Sequence, residues 1–244
     1  MTVYYLGRGE NRTNIVPFPE GFRMVSGNNG QRSYDTAWTY GGQNGVIYAG
    51  GTCTGNGTCA GGSFVNAPLN ITSNGPYSNA TTSGSHSNTT TTYSNTFYGR
   101  ALGNRTSFNC LDASGPMPET ANMVRTDCSY GLRAQIQFQS CWDGVNLYKT
   151  DNSHVAYMSQ IDNGVCPPGY PIQLPHLFFE VLYAVNNVQN QDGQFVFANG
   201  DTTGYGFHGD FLNGWDSTVQ AAAMSQCINV DNGGKYLYTC FEIL

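Results

Sequence analysis

The segment Leu132-Arg-Ala-Gln-Ile-Gln-Phe-Gln139 limits the possible folds more than any other stretch of the chain. Leu132, Ala134, Ile136 and Phe138 occupy one parity, and Arg133, Gln135, Gln137 and Gln139 the other. Successive side chains of a strand point to opposite faces, so this pattern predicts a strand with one face in a core and one in water. One-sided burial of that kind belongs to antiparallel sheets. The polar row of three Gln and one Arg is either an ordinary solvated sheet face or a hydrogen-bonding platform for a polar ligand. Leu177-Phe-Phe-Glu-Val-Leu-Tyr183 is apolar at both parities and predicts a strand buried on both faces. It places Glu180 with Phe178 and Leu182, where a carboxylate is desolvated and its pKa rises unless an arginine pairs with it. Glu180 is therefore either a general acid or a structural partner of Arg133.

The richest stretch chemically is Phe195 to Asp216, FVFANGDTTGYGFHGDFLNGWD. Phe195, Val196 and Phe197 predict a short buried strand, and Asn199-Gly200-Asp201 a turn that uses positive φ. If Tyr205 to Phe211 is extended, His208 and Asp210 share one face while Tyr205, Phe207 and Phe211 share the other. That pair is either a polar-substrate site flanked by Asn213 and Trp215 or a His–Asp brace for a turn. Ser217–Gln226 is the single convincing helix, with Asp216 as its N-cap and Ala221, Ala222 and Ala223 in its body. Everything else reads as strand and loop. The expected class is mainly β, sandwich or jelly-roll-like, with long loops, one short C-terminal helix and several disulfides.

Composition bounds the partners. With 244 residues, the chain fits a single domain, 1–244, large enough for a real core. Only 11% of residues are charged, Lys occurs only at Lys149 and Lys235, and the net charge is −6. Nucleic acid and anionic membranes both demand clustered Lys and Arg, so neither is an expected partner. No apolar run approaches the length of a membrane span. The eight cysteines are scattered without a CxxC pair, which fits disulfides in an oxidising, extracellular compartment rather than a metal cluster. The expected pairs are Cys53–Cys59 and Cys227–Cys240, with Cys110, Cys128, Cys141 and Cys166 paired among themselves. Sequons stand at Asn11, Asn56, Asn70, Asn79, Asn88 and Asn104, and their confinement to the first half marks that half as surface.

Thr36 to Gly99 contains no Asp, Glu, Lys or Arg, and residues 41–99 are dominated by Gly, Ser, Thr and Asn. Such a segment reads as a glycosylated insertion with apolar islands at Val46-Ile47-Tyr48 and Ser63-Phe64-Val65. The opening residues, Met1-Thr-Val-Tyr-Tyr-Leu, look like a strand rather than a signal peptide. The expectation is that an N-terminal piece of the natural protein precedes this chain.

No GxSxG elbow, HExxH helix, P-loop or dinucleotide fingerprint occurs. The motifs GLRAQIQFQSCWDG (131–144), SHVAY (153–157), CPPGYP (166–171), LPHLFFEV (174–181) and NGDTTGYGFHGDFLNGWD (199–216) resemble the fungal secreted family catalogued as domain of unknown function nineteen ninety-six. FPEGFRMVSG (18–27) and NCLD (109–112) fit it too. That family is often joined to a WSC module, a cell-wall sugar-binding domain, so the resemblance implies polysaccharide surroundings and no established reaction. The chain departs from the family in lacking an N-terminal His-Val-His-like stretch, in carrying Tyr170 where His is frequent, and in carrying Thr202 where Pro is usual.

The leading expectation is a secreted, carbohydrate-associated protein acting on cell-wall glycan. As a glycan-cleaving enzyme it would draw its catalytic groups from Asp143, His154, Glu180, His208 and Asp210. Arg133, Gln135, Gln137, Trp142, Tyr205, Asn213 and Trp215 would then bind the sugar chain. The first alternative is a non-catalytic wall-binding or structural module. The second is a metal-binding protein in which His154, His208 and Asp210 ligate a divalent ion, completed by histidines of the absent N-terminal stretch. No other cofactor is expected. A shared site requires the Arg133–Gln139 polar row to lie near His154 and His208.

Overall fold

The computed structural model describes residues 1–9, 14–44, 46–53, 59–60, 63–66, 92–124, 126–189 and 192–226. Along the chain come β1 (Thr2–Leu6), β2 (Arg23–Gly27), β3 (Val46–Cys53), β4 (Cys59–Ala60), β5 (Ser63–Asn66), β6 (Thr92–Phe97) and β7 (Thr106–Asp112). They are followed by β8 (Gly115–Pro116), β9 (Leu132–Gln137), β10 (Cys141–Trp142), β11 (Val155–Ala156) and β12 (Ile172–Gln173). β13 (His176–Tyr183), β14 (His208–Leu212) and helix α1 (Ser217–Gln226) follow, and short 3-10 turns stand at Gly42–Asn44, Leu102–Arg105 and Val185–Asn187. Every strand pair is antiparallel, as the one-sided pattern of β9 requires.

The central sheet runs β1-β13-β9-β7-β8. Its register aligns Thr2, Glu180, Gln135 and Ser107 in one rung, and Tyr4, Phe178 and Gln137 in the next. On the opposite face Ala134, Ile136 and Phe138 are buried together with Leu177. The β2–β14 ribbon lies over this apolar face: Phe22, Met24 and Phe211 join Ile136, Phe138 and Leu177 in one core. Ribbon and sheet approach so closely at Gly209 that a Cβ there would stand 2.8 Å from the Phe138 ring. The small sheet β11-β10-β12 borders the same core through Val155, Trp142 and Ile172. A second apolar cluster gathers Phe108, Leu132, Ala134 and Val185, with Phe195, Phe197 and Phe207 packed against it.

The mainly β class and the single short C-terminal helix stand as expected. Asp216 caps α1, its Oδ1 accepting from the amides of Thr218 and Val219 at 2.9 and 3.0 Å. The middle four cysteines pair as Cys110–Cys128 and Cys141–Cys166. Backbone register sets Cys53 opposite Cys59 on β3 and β4, whereas Cys227 and Cys240 lie outside the described residues. The apolar islands of the Gly-rich segment pair with each other, Ile47 opposite Val65 and Tyr48 opposite Phe64. Asn104 is exposed, and the other sequon asparagines lie outside the described residues.

Three expectations are corrected. Phe195–Phe197 forms no strand; Phe195 and Phe197 pack inward while Val196 is 58% exposed, and the peptide groups serve the turn instead. There Phe197 N donates to Asp201 O, and Gly200 adopts φ +79°. β13 is interior to the sheet but not buried on both faces: Phe178 and Glu180 are half-buried, and Leu182 is exposed. Gln139 and Gln135 are buried rather than solvated, Gln139 donating through Nε2 to Val25 O at 3.0 Å.

Candidate functional site

The polar face of the central sheet is where chemistry collects, and β9 is its axis. Parity sends Arg133, Gln135 and Gln137 to this face, and the register surrounds them with Tyr4, Phe178, Glu180, Ser107 and Asn109. Glu119 enters from the segment after β8, held to the sheet by the bridge between Thr120 and Phe108. The Arg133 guanidinium sits between two carboxylates, with Nη1 3.5 Å from Glu180 Oε1 and Nη2 3.4 Å from Glu119 Oε1. Tyr4 donates its hydroxyl to Glu180 Oε2 at 2.8 Å, and this bond, with some burial, raises the phenol pKa. Gln135 Nε2 donates to Ser107 Oγ at 2.8 Å and to Glu119 Oε1 at 2.9 Å, and Ser107 Oγ donates to Glu119 Oε2 at 3.2 Å.

Next to this polar network lies an aromatic surface. The Tyr4 and Phe178 rings are 5.6 Å apart and tilted by 30°. Gln137 connects the face to a buried relay in which His176 Nε2 lies 2.6 Å from Gln137 Oε1, and His176 Nδ1 lies 2.9 Å from Ser140 Oγ. Burial, reinforced by the charge of Arg8, lowers the His176 pKa from 6.5 to about 3, so the imidazole is neutral. A neutral ring has one N–H, and the Gln137 carbonyl fixes it on Nε2 while Ser140 donates to Nδ1. The Gln137 amide nitrogen is thereby left to face the sheet surface as a donor.

The residues singled out by sequence divide between this face and other places. Arg133, Gln135, Gln137 and Glu180 meet here, and Glu180 is paired to Arg133. Asp143 is elsewhere, folded over its own turn, where it accepts from the Val145 and Asn146 amides at 2.9 Å and from Asn146 Nδ2 at 2.7 Å. Desolvation pushes its carboxyl upward, but these hydrogen bonds and Lys149 outweigh it and hold the pKa below the usual range. Trp142 donates Nε1 to Asn146 O at 2.7 Å and stacks edgewise on Phe22.

His154 is fully buried against Phe22, with Nε2 2.8 Å from Arg23 O and Nδ1 without a partner among the described residues. Together with Asn152, which bonds both backbone groups of Val25, it closes the edge of β2 that β14 does not cover. His208 and Asp210 lie on β14, along the other edge of β2. Gly209 and Phe211 take the inward parity of β14, so His208 and Asp210 project outward, and the core separates them from the Arg133 row. The common site expected for the Gln row, His154 and His208 is therefore not formed. His154, His208 and Asp210 do not assemble either: among the described residues no group of three or more His, Cys, Asp or Glu is placed to hold a metal ion.

Tyr205 stacks edgewise on Tyr34, at 6.4 Å between centroids. Asn213 is buried and donates Nδ2 to Phe18 O and Pro19 O at 3.0 and 2.9 Å. Trp215 donates Nε1 to the Tyr5 hydroxyl at 2.9 Å.

Sequence reasoning missed Glu119, Tyr4, Ser107 and His176. Tyr4 and Ser107 were reachable by pairing their strands with β9, since both fall on its polar parity. Glu119, in a loop after Pro118, carries no periodic signal at all. No match is found for this chain among curated proteins or among solved structures. The family model of the domain of unknown function DUF1996 matches residues 1–215, spanning the central sheet, the β2–β14 ribbon and the polar face. The chain therefore belongs to the DUF1996 family.

Proposed function

We propose that this domain is a secreted glycan-binding module that holds a cell-wall polysaccharide chain on the polar face of its central sheet. The observation that carries this reading is the juxtaposition of the Tyr4–Phe178 aromatic surface with the Glu180–Arg133–Glu119 array. Sugars present apolar C–H faces and hydroxyls that both donate and accept, so a platform of rings beside mixed donors and acceptors matches them. The two disulfides among the described residues and an exposed sequon at Asn104 support an extracellular setting. Among the described residues no helix is long and apolar enough to cross a membrane.

The glycan-cleaving reading is weaker for a specific reason. Hydrolysis asks for one carboxylic acid that holds a proton and a second carboxylate across the scissile bond. Glu119 and Glu180 are both ion-paired to the one Arg133 guanidinium rather than set across an open gap, and Asp143 and Asp210 stand apart from them.

The test is calorimetric titration of the secreted protein with β-glucan, chitin, mannan and homogalacturonan oligosaccharides, with product analysis in parallel. Binding of at least one of them is expected, weakened about tenfold by Tyr4→Ala, a loss of about 1.4 kcal/mol of contact. Absence of binding to all of them, or affinity indifferent to Tyr4→Ala, overturns the platform. Release of shorter oligosaccharides restores the enzyme reading.

A further inference from the structure

The same face carries two carboxylates and one guanidinium at its Glu119 end, and this asymmetry bears on which glycans it admits. We infer that the platform selects uncharged, hydroxyl-rich chains and excludes polymers of uronic acid, with Glu119 and Glu180 as the discriminating residues; the inference rests on the glycan-binding reading above.

Arg133 already divides its guanidinium between the two carboxylates, so it cannot neutralise both and also receive a sugar carboxylate. Each carboxylate has about four acceptor positions. Tyr4 and Arg133 occupy two around Glu180; Arg133, Gln135 and Ser107 occupy three around Glu119. The remaining acceptors need donors, and a sugar hydroxyl is one, whereas a uronate oxygen is not. Glu119 is 51% exposed at its side chain and stands at the open end of the array.

Two buried polar atoms beneath this end also lack partners among the described residues. Asn109 is 3% exposed and, in register with Arg133, keeps its Oδ1 without a hydrogen bond among the described residues; Arg133 Nε is also buried and unbonded. Buried polar atoms in native proteins are nearly always satisfied, so an internal water is the partner each of them calls for beneath the array.

Among the described residues a further charge, Arg8, lies beyond the end of β1 and acts on His176, at the far end of the face from Glu119. It does not rescue a fully acidic polymer. A chain with a carboxylate on every residue places one against the Glu119 end in any register, and like charges in contact strongly disfavour a complex. Bulk salt screens this repulsion over roughly 8 Å at physiological ionic strength.

The experiment compares chains that share a backbone and differ at C6: homogalacturonan as its methyl ester and as the free acid, and β-glucan against its C6-oxidised polyglucuronate. Affinities are measured with wild type, Glu119→Gln and Glu180→Gln at low and at high salt, with melting curves to confirm folding. Wild type is expected to prefer each neutral polymer over its acidic partner by at least about tenfold. Either substitution should reduce that ratio by about tenfold, whatever it does to absolute affinity, and high salt should reduce the wild-type ratio. Equal or tighter binding of the acidic polymers overturns the inference and leaves the glycan-binding reading standing. So does a neutral preference that neither substitution changes, since another feature then sets it. Failure to bind any of the four polymers or the other glycans removes the reading and the inference together.

Discussion

Asp201 shows how much one carboxylate can organise. It is fully buried, and its Oδ1 accepts from Thr203 N at 2.8 Å and Thr203 Oγ1 at 2.7 Å. Its Oδ2 accepts from Gly206 N at 2.7 Å, and Arg32 lies 3.9 Å away. Burial alone would raise its pKa, but these hydrogen bonds and Arg32 hold it below the ordinary carboxylate range. Asp210 is the opposite case, exposed on β14 with no hydrogen bond or ion pair among the described residues. Removing a buried acceptor strands its donors, whereas removing a solvated one changes little. Asp201→Ala should therefore cost about 3 kcal/mol in urea unfolding, and Asp210→Ala no more than about 0.5 kcal/mol. A large loss at Asp210 would show that the brace had been assigned to the wrong residue. The parity argument drew attention to Asp210 because it alternates with His208; Asp201 folds a turn onto itself, and turns leave no periodic trace.

At the level of elements, what could be read in advance was what repeats. β9 and α1 have enough residues to display a period or a cap, and both occur with the expected bounds or parity. β8, β10, β11 and β12 have two residues each, too few for any period, and they are strands only because neighbours supply partners. Glu180 was legible to the extent that an apolar strand with one carboxylate demands a cation, and Arg133 was the only cation on the facing parity of β9. The platform as a whole was not legible, because its members come from β1, β7, β9, β13 and a loop, and a single sequence does not give register. Two element-scale tests follow from the packing. Gly209 lets the ribbon touch Phe138, so Gly209→Ala should overpack that contact and cost about 1–3 kcal/mol, measured by chemical unfolding. The Cys141–Cys166 bond ties β10 to a loop 25 residues away, and replacing both cysteines with Ala should cost roughly 3 kcal/mol through the freed unfolded chain. Unchanged stability in the first variant would mean that the ribbon can shift outward on the sheet.

For the molecule as a whole, the lowered carboxylates and His176 make acid destabilising, but in separate windows. Asp201 and Asp143 have native pKa values below their ordinary ones, so their contribution is present above the unfolded carboxylate range near pH 4 and is lost as pH falls through the native values. His176 acts earlier. Its native pKa is about 3 against 6.5 when unfolded, so above pH 6.5 both states are neutral and the histidine has no effect. Below pH 6.5 the unfolded chain takes up a proton that the native state refuses, and stability declines until the native imidazole titrates near 3. One proton corresponds to about 1.4 kcal/mol per pH unit. Between about pH 6 and about pH 4.5, before the carboxylates titrate, stability of the wild type should fall with a slope approaching that value. His176→Asn, which cannot titrate, should remove about one proton from this slope, even if its stability at neutral pH is lower. Ser140→Ala loses a hydrogen bond to Nδ1 but keeps the buried, titratable ring, so it should lower stability and retain the slope. The measurement is urea unfolding at a series of pH values for the three proteins. A slope that His176→Asn leaves unchanged would mean that the native state accommodates the protonated ring, contrary to a histidine sealed between Gln137 and Ser140.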